Sequence, residues 1–112
     1  MNQSSGKPDV FEQVEAQPIG EGTWRAEEVC MHLGISHDIL ELCLRWEVID
    51  PPEAGQEGVL LFQESAVERI RRGVRLHRDL GINWPGVAVV LALMDRIEAL
   101  EREALKREMD LR

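Results

Sequence analysis

Cysteine is scarce in this 112-residue chain, with Cys30 and Cys43 the only two. That excludes a disulfide scaffold and points to reduced thiols in a cytoplasmic protein. No apolar run approaches the roughly 18 residues that a membrane span needs, and no charged, then apolar, then small-residue leader opens the chain. The expectation is therefore no membrane partner. Cations are outnumbered, with 13 Lys and Arg against 21 Asp and Glu, a formal net charge of −8. A general nucleic-acid binder would show the opposite balance, which makes DNA binding unlikely and leaves room for a partner with a basic surface. No glycine-rich phosphate loop and no Ser/His/Asp or paired-carboxylate spacing is recognisable. Ser36 and Ser65 look like helix caps. The expectation is a non-enzyme without a cofactor.

What remains is a modest globular chain, 44% hydrophobic and 30% charged. Residues 1–22 carry one lysine against four acids and little apolar content beyond Val10, Phe11, Val14 and Ile19. Such a stretch cannot offset its ordering entropy, so it is expected to be a flexible N-terminal arm with at most a short strand near Phe11. From Trp24 the spacing of Ala26, Val29, Cys30 and Leu33 predicts a helix, with Thr23 as its N-cap. Gly34 ends it, and Ser36 caps a second helix to about Trp46, with Ile39, Leu40, Cys43 and Leu44 inward. This is a helix-turn-helix candidate.

Pro51 and Pro52 forbid helix, and the glycine-bearing turn before Val59–Phe62 predicts a small β-wing. A third helix opens near Gln63–Ser65, with Val67, Ile70, Val74, His77 and Leu80 inward. Asn83 caps a fourth that runs from Trp84 almost to the end, with Pro85 in its first turn. In that helix Val90, Ile97, Ala104 and Leu111 recur every seven residues and Leu93 and Leu100 interleave, a short coiled-coil seam that Arg107 interrupts. Val90, Leu93, Ile97 and Leu100 are expected either to pair two chains, giving a homodimer, or to fold back on the third helix. The division expected is an arm over 1–22, a core over 23–82 and a C-terminal helix over 83–112.

The order of helix, Gly-Ile-Ser turn, helix, wing and two helices resembles the MerR-like winged helix-turn-helix superfamily over residues 24–95. The fold class expected is mostly α, a degenerate MerR-like winged helix-turn-helix with a small β-wing and a long C-terminal helix. The segments CMHLGIS (30–36) and RGVRLHRDLGINWPGVAVVLALMDRIEAL (72–100) are similar to motifs of the chaperone-modulator (CbpM-like) family. That resemblance implies a cytoplasmic protein that binds the J-domain of a DnaJ-like, curved-DNA-binding co-chaperone and inhibits its co-chaperone activity. The alternative is a MerR-like DNA-binding transcriptional regulator. In DNA-binding relatives the second helix carries an Arg-Tyr-Tyr run and the wing reads Gly-Tyr-Arg-Leu-Tyr. Here those positions hold Glu41, Leu42 and Cys43, and Gly58 through Phe62, with Leu60 in place of the arginine. Glu47 stands where the family commonly has glycine.

Asp38, Glu41 and Glu47 are therefore the candidate partner-binding acids, with Trp84 the candidate apolar anchor, although a packed staple is the plainer reading of that ring. Trp24 and Trp46 are expected to enclose the core. Arg69, Arg71, Arg72, Arg75 and Arg78 could form a phosphate-contacting stripe. The plainer reading is a solvated face with Glu68–Arg72 and Arg75–Asp79 pairs. Cys30, Cys43, His32 and His37 match no zinc-ligand spacing, and buried small hydrophobes are the better account of the cysteines, as a core histidine is of His77.

Overall fold

The computed structural model describes residues 22–111, so the expected arm lies outside the described residues except for Gly22. Four helices and a three-stranded antiparallel sheet follow the winged helix-turn-helix order. In chain order they are β1 (Thr23–Arg25), α1 (Ala26–Leu33), α2 (His37–Arg45), β2 (Glu53–Ala54), β3 (Leu60–Gln63), α3 (Glu64–Leu80) and α4 (Trp84–Asp110). Strand β3 is central, flanked by β1 and β2.

The first expectation to fail is the start of α1. Thr23 caps nothing: Thr23–Arg25 pair with Gln63, Phe62 and Leu61 of β3. Trp24 buries its ring beside Phe62, and its indole Nε1–H donates to Glu64 Oε1 at 3.0 Å. Tertiary pairing with a distant strand overrides the local helical pattern. The helix begins at Ala26 instead, and the Arg25 N–H donates to the Glu28 carboxylate at 2.8 Å.

The helix-turn-helix forms as its residues dictate. Gly34 adopts the left-handed conformation, φ 65°, that a side chain disfavours, and ends α1. Ser36 Oγ accepts the Ile39 N–H at 3.3 Å and starts α2. The other end of α2 is more unusual. The N–H of Glu47 donates to Leu44 and that of Val48 to Cys43, a Schellman closure whose left-handed residue is Glu47, φ 57°. Glycine is the ordinary occupant of that position, and a side chain there costs roughly 1 kcal/mol.

One core gathers the buried faces of all four helices and the sheet. Helix α3 contributes Val67, Ile70, Gly73 and Val74. A Cβ on Gly73 would lie 3.2 Å from Val87 and 3.4 Å from Val48, so this glycine sets how closely α3 crosses α4. Arg69 ties the same three segments from the rim. Its Nε–H donates to the Val48 carbonyl at 2.6 Å, and its two terminal nitrogens meet the two Asp95 carboxylate oxygens, each at 3.0 Å.

Trp84, Val87 and Leu91 of α4 are buried and belong to the same core. His77 behaves as a core histidine: Nδ1 lies 2.8 Å from the Ile82 carbonyl, and the ring stacks on Trp84 at 4.7 Å. Two apolar residues were expected inward and are not. Leu80 is 68% exposed and Trp46 43%. Leu80 is the last residue of α3, where Gly81 turns the chain away from the core, and Trp46 lies beyond the last helical turn of α2.

Two stability changes follow. Arg69→Lys keeps the charge but loses the fork, and is expected to lower the unfolding free energy by about 1.5 kcal/mol, measured from urea midpoints. Glu47→Gly relieves the left-handed backbone and should raise it by about 1 kcal/mol, moving Tm up about 5 °C by calorimetry.

Candidate protein-docking face

Helix α2 shows the solvent one coherent face. Leu40 and Cys43 are buried, which turns Asp38, Glu41 and Arg45, at three- and four-residue spacing, outward together. All three are exposed, as is Glu47 just past the helix end. Asp38 lies in the first turn, where the helix dipole favours an acid. The structure thus brings Asp38 and Glu41 onto one surface with Glu47 at its edge, while Arg45 interrupts the acidic run.

Trp84 does not join them. It is 6% exposed, stacked on His77 and packed near Gly73, so its assignment as a partner anchor is corrected: the ring is committed to the core. The exposed indole is Trp46, between Arg45 and Glu47. Exposed Trp is unusual enough to mark contact surfaces. Its signal in the sequence was its position: it follows the last residue of α2 and precedes the left-handed Glu47, off the face that Leu40 and Cys43 bury.

The wing is apolar and acidic rather than basic. Val59 and Leu60 are exposed, and Glu53 and Glu57 stand on the same hairpin. Neither α2 nor the wing offers the density of cations that holds phosphates.

A second exposed surface runs along α4. Leu93, Ile97 and Leu100 are 58%, 53% and 44% exposed, so the seam does not fold back on α3. Val90 is corrected to a half-buried shoulder of that stripe, because the rotation that buries Val87 and Leu91 carries it toward the core. On α3, Glu68 pairs with Arg71 at 3.3 Å rather than with Arg72, and no Arg75–Asp79 bridge forms. Arg72, Arg75 and Arg78 meet no carboxylate within 4 Å among the described residues.

The cysteines offer no chemistry at this face. Both are buried, and burial pushes both thiols up, Cys43 to about 12, with the Glu27 carboxylate adding to the rise at Cys30. Such thiols stay protonated and unreactive at neutral pH. Among the described residues no three His, Cys, Asp or Glu side chains come together as a metal site, and no helix is long and apolar enough to cross a membrane.

Comparison with known proteins agrees with this architecture. The family described as MerR HTH family regulatory protein matches residues 24–107. Proteins called chaperone modulatory protein CbpM, from Escherichia coli O1:K1 / APEC, O139:H28 (strain E24377A / ETEC) and O9:H4 (strain HS), are each 40% identical over 81 residues. Those alignments cover 72% of this chain and 79% of each relative. The family is described as regulatory and the relatives as modulators, with no catalytic activity in either name. The glycine turn, the wing and the long last helix, together with this identity, show that the chain belongs to the CbpM-like chaperone-modulator family within the MerR-like helix-turn-helix superfamily.

Proposed function

We propose that this protein modulates a chaperone system by binding the J-domain of a DnaJ-like co-chaperone and blocking its co-chaperone activity. The observation that carries this reading is the α2 face. The element that DNA-binding relatives fill with cations here exposes Asp38, Glu41, Trp46 and Glu47. Carboxylates repel phosphates and attract a basic protein helix. A J-domain engages its Hsp70 partner through a basic helix, and an acidic, partly apolar surface docked there would compete for it. The relatives named as chaperone modulators support the same direction.

We also infer that two copies pair through α4. The stripe of Leu93, Ile97 and Leu100 is left exposed by the described residues. Charge selects the direction. Parallel pairing would set Arg107 against Arg107 in the seam and Glu103 near Glu108, with the Arg96–Glu101 contact across the pair as its one favourable charge contact. Antiparallel pairing with Ile97 opposite Leu100 sets Arg96 against Glu103 of the second copy, twice by symmetry.

The docking test is kinetic. Replacing Asp38, Glu41 and Glu47 together with Lys should slow association with the J-domain by about tenfold at low salt and flatten its salt dependence. Trp46→Ala should act mainly on dissociation. An unchanged on-rate without salt dependence would move the interface elsewhere, and tight, steeply salt-dependent duplex binding in a gel-shift would favour the DNA regulator. For pairing, light scattering at micromolar concentration should give the mass of two chains and Ile97→Glu that of one. A single-chain mass for the unaltered protein would overturn it.

A further inference from the structure

The most basic surface of this acidic protein lies on α3. Arg72, Arg75 and Arg78 recur every third residue and have no carboxylate within 4 Å among the described residues. Arg71, beside them, is already engaged by Glu68 at 3.3 Å and His32 at 3.1 Å. The ridge has apolar shoulders. On the α4 side Arg72 and Arg75 border a groove with Leu76, Leu80, Leu91 and Met94, and Asp79 is the one acid on its lining. On the α1 side Arg75 and Arg78 border a cleft with Leu33 and Val74. A ligand for such a surface is an acidic segment with apolar side chains at intervals.

The chain carries one. Residues 9–21, DVFEQVEAQPIGE, hold Asp9, Glu12, Glu15 and Glu21 with no cation, and Val10, Phe11, Val14 and Ile19 between them. They lie outside the described residues and precede the region that the family shares, which begins at residue 24. We propose that this segment is the ridge's own ligand, binding within the same chain across Arg72, Arg75 and Arg78. The tether reaches. The Gly22 carbonyl accepts the Glu64 N–H at 3.0 Å, so the segment departs beside the first turn of α3. From there the ridge lies about 12–21 Å along the helix, and thirteen extended residues span about 40 Å.

Tethering also decides between occupants. A free acidic peptide must approach a molecule of net charge −8, whereas a linked segment is held at an effective concentration of about millimolar. The consequence is that the ridge is covered, and the cations this fold retains are withheld from nucleic acid and other polyanions. This inference is independent of J-domain binding.

The test uses the full chain. A nitroxide on Ser5→Cys, with both buried cysteines replaced by Ala, should strip intensity from the amides of residues 72–80 in a nitrogen–proton spectrum. Replacing Arg72, Arg75 and Arg78 together with Gln should restore those signals, and the dispersed spectrum of that variant reports whether it stays folded. A label on that variant that still broadens residues 72–80, or a label on the parent chain that broadens none of them, overturns the proposal. In a mixture of labelled unenriched chain and unlabelled enriched chain, no broadening is expected. Broadening there means that the segment reaches a second copy, which overturns binding within the chain.

Discussion

The guanidinium of Arg69 holds together, from the rim, three segments whose buried side chains already meet in the core. Its Nε–H satisfies the carbonyl of Val48, a residue with no exposed surface, just after the left-handed turn that ends α2. Its fork grips Asp95 on α4 from the middle of α3. Directly behind it, Gly73 lets Val48 and Val87 close on the α3 backbone. The orientation of α2, and so of its acidic face, is set at this junction. An isolated surface ion pair would contribute little, but a bidentate pair that also satisfies a buried carbonyl resists both screening and replacement.

The helix-turn-helix was legible because its punctuation is local. Gly34 and Ser36 declare a stop and a start within three residues, and Asn83–Pro85 does the same for α4. The long-range features were not. Trp24 becomes part of a strand only because Phe62, nearly forty residues on, offers it a partner and Glu64 accepts its indole N–H. Gly73 gives no sign in the sequence that its missing side chain matters, because the reason lies in two other segments. Leu80 and Trp46 fit the apolar rhythm of their helices, yet each falls where the helix ends and the face it would share has run out. At the docking face, the acids were readable from what stands in their place in DNA-binding relatives. The exchange of Trp84 for Trp46 was not, since both sit beside helix ends and only packing shows which ring found a pocket.

Charge is distributed here against the inheritance of the fold. A helix-turn-helix needs cations on its second helix and wing to hold a duplex. Here the second helix exposes one arginine, Arg45, while Arg72, Arg75 and Arg78 of α3 meet no carboxylate within 4 Å among the described residues. The core tolerates the change of charge, because Glu41 and Leu60, which stand where those relatives carry cations, are both exposed. A scaffold whose stability rests on Val67, Ile70, Val87 and Leu91 can change the sign of its outer surface without repacking.

Helix α4 has a mechanical consequence. Its inner end is fixed by the Trp84 and Val87 packing and by the Asp95 clamp, while every residue from Leu100 to Leu111 is exposed. From Asp95 to Asp110 the rod extends about 22 Å at the rise of an α-helix. It has the geometry of a lever with its fulcrum at Arg69: a tilt of about 5° there would displace the tip by about 2 Å, a little over a third of a helical turn's rise.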